Sequence, residues 1–276
     1  MSLVQTTFCK SPLLTQVSGL VCDENNNLYA CNFGSPTASI IKINPQGKAT
    51  LLTEQYSGDR NFVTMVYLED FLYVTGFNNC VYKVNIHTGE LITFVTLPDN
   101  GTNGITYYKN KFYVVTQDCM NSGSVYKVEL DGSFSVLIDK TGLIGTQYNT
   151  ITVDEKGNLY ITDKGNNSVV KYDKHGHIIN SNFITGPYQS ILIHDRFIYV
   201  TNYIINQISQ YNMYGNIITE KFAEGGLTFA GGGVAFDKYG NFYCSKEPEG
   251  GPGNGDVTVQ KVLNNNNDNS DNDSDM

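Results

Sequence analysis

Short apolar segments of four to seven residues, each bounded by Gly, Asn or Asp, follow one another along most of the chain. Residues 149–184 show the pattern most cleanly. Four segments rich in Val, Ile, Tyr and Phe occur at Ile151–Asp154, Asn158–Thr162, Ser168–Tyr172 and His177–Phe183. They are parted by a Gly turn, an Asn-Asn turn and a His-Gly turn. Short β-branched and aromatic segments between turn residues predict strands. No stretch keeps a 3.6-residue apolar period, so helices are expected to be nearly absent.

The four-segment pattern repeats. An apolar residue followed by Tyr recurs at Tyr29, Tyr73, Tyr113, Tyr160, Tyr199 and Tyr243, 39 to 47 residues apart. Third strands in the other copies are predicted at Ser39–Asn44, Cys80–Asn85, Ser124–Glu129, Gln207–Asn212 and Asp256–Val262, with hairpin turns afterwards at Gly47, Gly89, Gly132 and Gly215. Turns between first and second strands come in two lengths. Copies one, four and six use a longer turn beginning at Asp23, Asp154 and Asp237. Copies two, three and five turn tightly at Glu69-Asp70, Lys109-Asn110 and Asp195-Arg196.

A lone four-stranded meander buries one face, so copies at this period must stack around an axis to bury both. The expected fold class is all-β: a six-bladed β-propeller of four-stranded antiparallel blades, forming one domain over residues 1–263. The sixth copy stops after its third strand, so Leu3–Phe8 is expected to supply its outer strand and close the ring. Residues 264–276, NNNNDNSDNDSDM, hold no apolar residue but the final Met. They are expected to form a disordered acidic tail.

The fourth copy carries Asp-x-x-Gly-Asn-Leu-Tyr-Ile-Thr-Asp at residues 154–163. This motif resembles an NHL repeat. Residues 1–263 as a whole resemble the six-bladed propellers of the NHL and gluconolactonase/strictosidine-synthase-like superfamily. The resemblance implies an architecture more than an activity, since lactonases, lyases, scaffolds and partner-binding modules share it.

Composition narrows the partners. The net charge is −9, and Asp268, Asp271, Asp273 and Asp275 place four of the acids in the tail. No basic face for nucleic acid or anionic lipid is expected. No apolar run approaches the roughly 18–20 residues of a membrane span. The start, MSLVQTTFCKSPLL, lacks the basic-then-apolar layout of a secretory signal. A cytoplasmic location is expected, or a virion if the source is a large virus, since Lys far outnumbers Arg and Asn is abundant, as in AT-rich genomes. The six cysteines form no Cys-x-x-Cys and read as reduced, largely buried thiols.

In a propeller, the loops entering the inner strands and those joining second to third strands share one face, where ligands usually bind. Aligning the copies on their Tyr places Ser18, Val63, Asn103, Asn149, Gln189 and Gly232 around the axis. Asn32, Gly76, Thr116, Asp163, Asn202 and Lys246 follow the second strands. The candidate ligand-binding set is Ser18, Asn103, Asn149, Gln189, Asn32, Asp163 and Asn202. Loop residues Asp59, Arg60, Asn61, Asp118, Lys246, Glu247 and Glu249, with Gln147, Tyr148 and Tyr188, are expected to edge the same face.

The resemblance to gluconolactonase-like enzymes implies a divalent cation on the axis. A Glu from blade one, Asn residues from blades three and four, and an Asp from blade five would hold it. Asn103 and Asn149 match that pattern, whereas Ser18 and Gln189 stand where the acids would be. Amide oxygens alone leave the cation's charge unneutralised, so the implied cofactor is at most a weakly bound Ca²⁺ at Asn103 and Asn149. Loss of the Asp also removes the general base for water attack. No catalytic residue is assigned.

The lyase branch of these propellers uses axial His. Here His87, His175, His177 and His194 are expected as solvated turn residues on the opposite face. Asp163, followed by Asn166-Asn167, resembles the NHL turn in which Asp caps the loop backbone. Gly231-Gly232-Gly233 is expected to let the last inner strand approach the axis. The expected function is a binding or structural module for a protein, peptide or carbohydrate. The competing readings are a divergent metal-dependent hydrolase with carboxylates from Asp59, Asp118 or Asp163, and an assembly component of a large virus.

Overall fold

A computed structural model of the chain describes residues 4–33, 37–56, 61–99, 101–118, 121–140, 148–202, 204–225, 233–246 and 258–263. The N-terminal strand β1 (Val4–Lys10) precedes blade one, which comprises β2 (Val17–Cys22), β3 (Leu28–Asn32), β4 (Thr37–Ile43) and β5 (Ala49–Tyr56). Blade two is β6 (Phe62–Leu68), β7 (Phe71–Gly76), β8 (Cys80–Asn85) and β9 (Leu91–Thr96). Blade three is β10 (Thr102–Tyr108), β11 (Lys111–Asp118), β12 (Asn121–Glu129) and β13 (Phe134–Ile138). Blade four is β14 (Tyr148–Val153), β15 (Leu159–Asp163), β16 (Ser168–Tyr172) and β17 (Ile178–Thr185). Blade five is β18 (Tyr188–His194), β19 (Phe197–Asn202), β20 (Gln207–Asn212) and β21 (Ile217–Glu224). Blade six joins β22 (Val234–Phe236), β23 (Phe242–Lys246) and β24 (Thr258–Leu263) to β1. No helix occurs among the described residues.

The expected six-bladed, all-β fold is therefore observed, and so is the end-to-end closure. β1 pairs antiparallel with β24, from Val4 opposite Leu263 to Lys10 opposite Thr258. Gln5 also reaches the outer strand of blade five. Its Nε2 donates to the Glu224 carbonyl at 2.6 Å, and its Oε1 accepts from the Glu224 amide at 3.0 Å. The 264–276 segment lies outside the described residues.

The two turn lengths have separate physical origins. In the long turns one buried carboxylate organises the loop. Asp154 Oδ1 accepts from the Lys156 and Asn158 amides, while Oδ2 accepts from Asn158 Nδ2 and the Tyr160 hydroxyl. Asp23 does the same for Asn25, Asn27 and Tyr29, and Asp237 for Tyr239, Asn241 and Tyr243. The repeat Tyr is thus buried with its hydroxyl satisfied. The tight turns place Lys109, Asn110, Asp195 and Arg196 at positive φ, the geometry that matches the right-handed twist of a two-residue hairpin.

Each repeat Tyr lies opposite a third-strand residue across the sheet. The partners are Lys42, Lys83, Lys127, Lys171 and Lys261, with Gln210 in blade five. Lys42, Lys83, Lys171 and Lys261 place their ammonium groups 4.9–5.6 Å from the facing Tyr ring centroid. Their stems pack along the ring, and the ammonium is drawn to its face. Between blades the apolar faces form clusters such as Tyr29, Ile40, Phe62, Leu72 and Val84.

Candidate functional site

The inner strands β2, β6, β10, β14, β18 and β22 neighbour one another in sequence order around the axis, with β22 returning to β2. Five of them begin with a bulge. Register shifts fall between Val17 and Gly19, Phe62 and Met65, Thr102 and Gly104, Tyr148 and Ile151, and Tyr188 and Ser190. The axial positions Ser18, Val63, Asn103, Asn149 and Gln189 lie in these bulges. A bulge leaves main-chain groups out of the ladder and re-aims a side chain.

Threonine and serine hydroxyls take up those groups and join the blades. Thr75 Oγ1 accepts from the Thr64 amide at 3.0 Å and donates to the Asn103 carbonyl of the next blade at 2.6 Å. Thr162 does likewise for the Thr150 amide and the Gln189 carbonyl, at 3.0 and 3.2 Å. Ser18 donates to the Phe62 carbonyl at 2.8 Å.

Side chains at these candidate positions are largely engaged. Asn103 is buried and donates to Gln117 Oε1 at 2.7 Å. Gln189 is buried as well. The Asn149 side chain lies outside the described residues. Asn32 accepts from the Thr15 amide and donates to the Leu13 carbonyl and Ser39 hydroxyl. Asn202 caps the amides of Ile204 and Ile205. Asp163 accepts from Asn166 through both oxygens. Burial raises its pKa, and the Asn166 and Gly165 hydrogen bonds oppose the rise.

Beneath this ring the inner strands enclose a cavity of ≈ 380 Å³. Ser18 lines it, whereas Val63, Asn103 and Gln189 do not. Its walls include the residues one and three places further on, such as Thr64, Thr150, Ser190, Thr106 and Thr152, among aliphatic neighbours. Tyr67, Tyr107, His194 and Phe236 line it near the first-to-second-strand turns. No Asp or Glu is among the described lining residues. No group of three His, Cys, Asp or Glu side chains suited to a metal occurs among the described residues.

Two expectations need correction. His194 is not a solvated turn residue: its side chain is 29% exposed and its ring stacks on Phe236 at 3.9 Å and 6°. Burial lowers its pKa, opposed by the charges of Asp195 and Asp237. Tyr188 is not an exposed edge either, because it is buried with its hydroxyl 2.7 Å from that of Tyr211. His87 and His177 are exposed and sit beside Asp70 and Asp173. Gly233 approaches β2 closely, near Leu20 and Val17. Cys9, Cys31 and Cys244 are buried free thiols, and Cys22 and Cys80 are half-buried ones. Asp59, Arg60, Gln147, Gly232, Glu247 and Glu249, and the side chains of Asp118 and Tyr148, lie outside the described residues.

Sequence reasoning missed a buried carboxylate, Asp99, in the connection from blade two to blade three. Asp99 accepts from Lys140 at 2.9 Å and from the Tyr126 hydroxyl at 2.8 Å. Burial works to raise its pKa, but hydrogen bonds from Ser124, Lys140 and Tyr126 with the Lys140 charge hold it below the usual value. Burial, then the Asp99 hydrogen bond and charge, push Tyr126 up to about 12. No local motif marks Asp99, since its partners Thr116, Tyr126 and Lys140 come from three other segments.

No family model matches the chain, and no curated protein matches it. Solved structures define the class of fold. The calcium-binding protein regucalcin from Agrobacterium tumefaciens is 14% identical, covering 94% of this chain and 95% of its own, with a TM-score of 0.73. A protein assigned to the gluconolactonases is 10% identical over 95% of this chain and 92% of its own, with a TM-score of 0.72. Streptogramin B lyase is 14% identical over 95% and 98%, with a TM-score of 0.67. The fold is the six-bladed propeller that these structures share, and at these identities the likeness is one of fold. No described helix is long and apolar enough to cross a membrane.

Proposed function

We propose that the chain is a binding propeller without a retained catalytic set, whose axis takes an uncharged ligand rich in hydroxyl or amide groups. A carbohydrate, a peptide or an exposed protein segment has that chemistry. One observation supports this most: the positions that carry acids in the gluconolactonase-like pattern, Ser18 and Gln189, are neutral and buried. Ser18 moreover spends its hydroxyl on a neighbouring blade. Asp163 is a poor replacement, since Asn166 occupies both of its oxygens. The cavity beneath combines hydroxyls, aliphatic walls and two tyrosines, a lining that suits a neutral ligand.

Glycan and peptide arrays, followed by calorimetry on the best binder, test the reading. The expected result is saturable binding of a neutral glycan or peptide, weakened by Tyr107→Ala. Ca²⁺ on the order of tens of micromolar should barely raise the melting temperature, because stabilisation needs concentrations above the dissociation constant. Stoichiometric Ca²⁺ binding with turnover of a sugar lactone would overturn the reading in favour of a hydrolase. Asp59 and Asp118 would then be the first carboxylates to neutralise.

A further inference from the structure

We propose that a second small-molecule site lies between blades five and six, on the face of the first-to-second-strand turns. It is an aromatic pocket that takes a flat, uncharged bicyclic ring with one hydrogen-bonding group directed at His194.

The pocket has a volume of ≈ 240 Å³; Phe197, Tyr199, Phe222, Phe236, Phe242 and His194 make its aromatic wall, and Asp195 and Gln210 add polar groups to the lining. For scale, an apolar cavity of about 150 Å³ holds benzene, so the space accommodates two fused rings. The wall is built by aromatic packing that fixes each ring. Tyr199 lies near-parallel to Phe242 with centroids 5.8 Å apart, and Phe222 meets Phe242 edge-on at 5.2 Å. Phe236 meets Phe242 at 4.9 Å and 61°. Tyr199 and Phe242 are buried at the back of this cage, and the partly buried Phe197, Phe222 and Phe236 present ring surface that favours an aromatic guest over an aliphatic one of equal size.

His194 gives the cage its polarity. Its Nε2 is buried and has no hydrogen-bond partner among the described residues; the Asp195 carboxylate stands 3.4 Å away, out of alignment. Buried polar atoms are rarely left unpaired, and each exception needs an explanation. A ligand group at Nε2 supplies one here. Burial also holds the imidazole below its ordinary pKa, so it is neutral at pH 7 and able to serve an uncharged partner. The ring is held in place by its stack on Phe236, and these two side chains also line the axial cavity.

The chain contains no Trp, so indole fluorescence can be followed without tryptophan background. Titrating the full chain with indole should give a saturable rise in fluorescence anisotropy. Naphthalene, similar in shape but without a polar group, should bind about tenfold more weakly, the worth of one hydrogen bond. His194→Phe keeps an aromatic stack and removes Nε2, so it should erase most of that difference by weakening indole alone. Thr106→Phe, which narrows the axial cavity, should leave indole binding unchanged. Bromoindole soaked into crystals of the parent protein should place its bromine among Phe222, Phe236 and Phe242, whatever becomes of the variants. Absence of saturable indole binding would overturn the proposal. So would bromine in the axial cavity, or equal weakening of both probes by His194→Phe.

Discussion

A methyl group on Gly47 would lie 2.4 Å from the carbonyl oxygen of Phe8. The turn after the third strand of blade one therefore presses on the N-terminal strand that completes blade six. Gly47 has φ +79°, a conformation that L side chains adopt at a cost. Gly47→Ala combines that strain with the steric contact. It should lower stability by about 1–3 kcal/mol in urea titrations without altering secondary structure by circular dichroism.

Removing residues 1–10 takes away β1 altogether and exposes the edge of β24. The truncated chain should melt well below the parent and aggregate more readily, because an unpaired edge invites pairing with another chain. An unchanged melting temperature would show that the blade-six joint contributes nothing to stability.

Thr75 serves two blades through one hydroxyl. Thr75→Val preserves shape but leaves the Thr64 amide unpaired and takes one of its partners from the Asn103 carbonyl. A loss of about 1–3 kcal/mol is expected by chemical denaturation. Thr75→Ser should recover most of it, which separates the hydroxyl from the packing of the methyl group.

Asp154 and Tyr160 form a matched pair with unequal costs. Tyr160→Phe removes one donor from a carboxylate that keeps three others, for a loss of about 1 kcal/mol. Asp154→Ala strips the partner from two amides, an Asn side chain and a buried hydroxyl together, and should cost about 2–4 kcal/mol. Urea titrations of both variants should reproduce that order.

Alkaline pH should act through the same tyrosines. Burial, with the charges of Asp23, Asp154 and Asp237, raises the pKa values of Tyr29, Tyr160 and Tyr243 above the ordinary tyrosine value. Below about pH 10 folded and unfolded chains both hold these protons, so the stabilisation is fully present. Above it the unfolded chain releases protons that the folded chain keeps, and stability falls as pH rises. Urea titrations from about pH 8 to about pH 11 should show the decline, and Tyr160→Phe should flatten part of it.

Strand identity was legible because it is written between near neighbours. The third strands Cys80–Asn85, Ser168–Tyr172 and Gln207–Asn212 fold at the boundaries that their composition and turn residues predict. The long turns were legible for the same reason, as Asp154, Asn158 and Tyr160 lie within one loop and its strand. Where a boundary moved, a cross-strand partner moved it. β12 begins at Asn121 rather than Ser124 because Gln117 and Asp118 of β11 extend the hairpin to pair with Ser122 and Asn121.

The sequence by itself determined the strand period, the two turn lengths, the six-fold repeat and the missing outer strand that β1 supplies. These follow from residues a few places apart and from a copy count. Only the tertiary structure decided what stands around the axis. Whether Asn103 faces a ligand or Gln117, and whether His194 meets water or Phe236, depends on residues from other strands or blades. A bulge in each of five inner strands turns its side chains by an amount that strand alternation does not contain. The neighbours that receive those side chains are set only when six blades close into a ring.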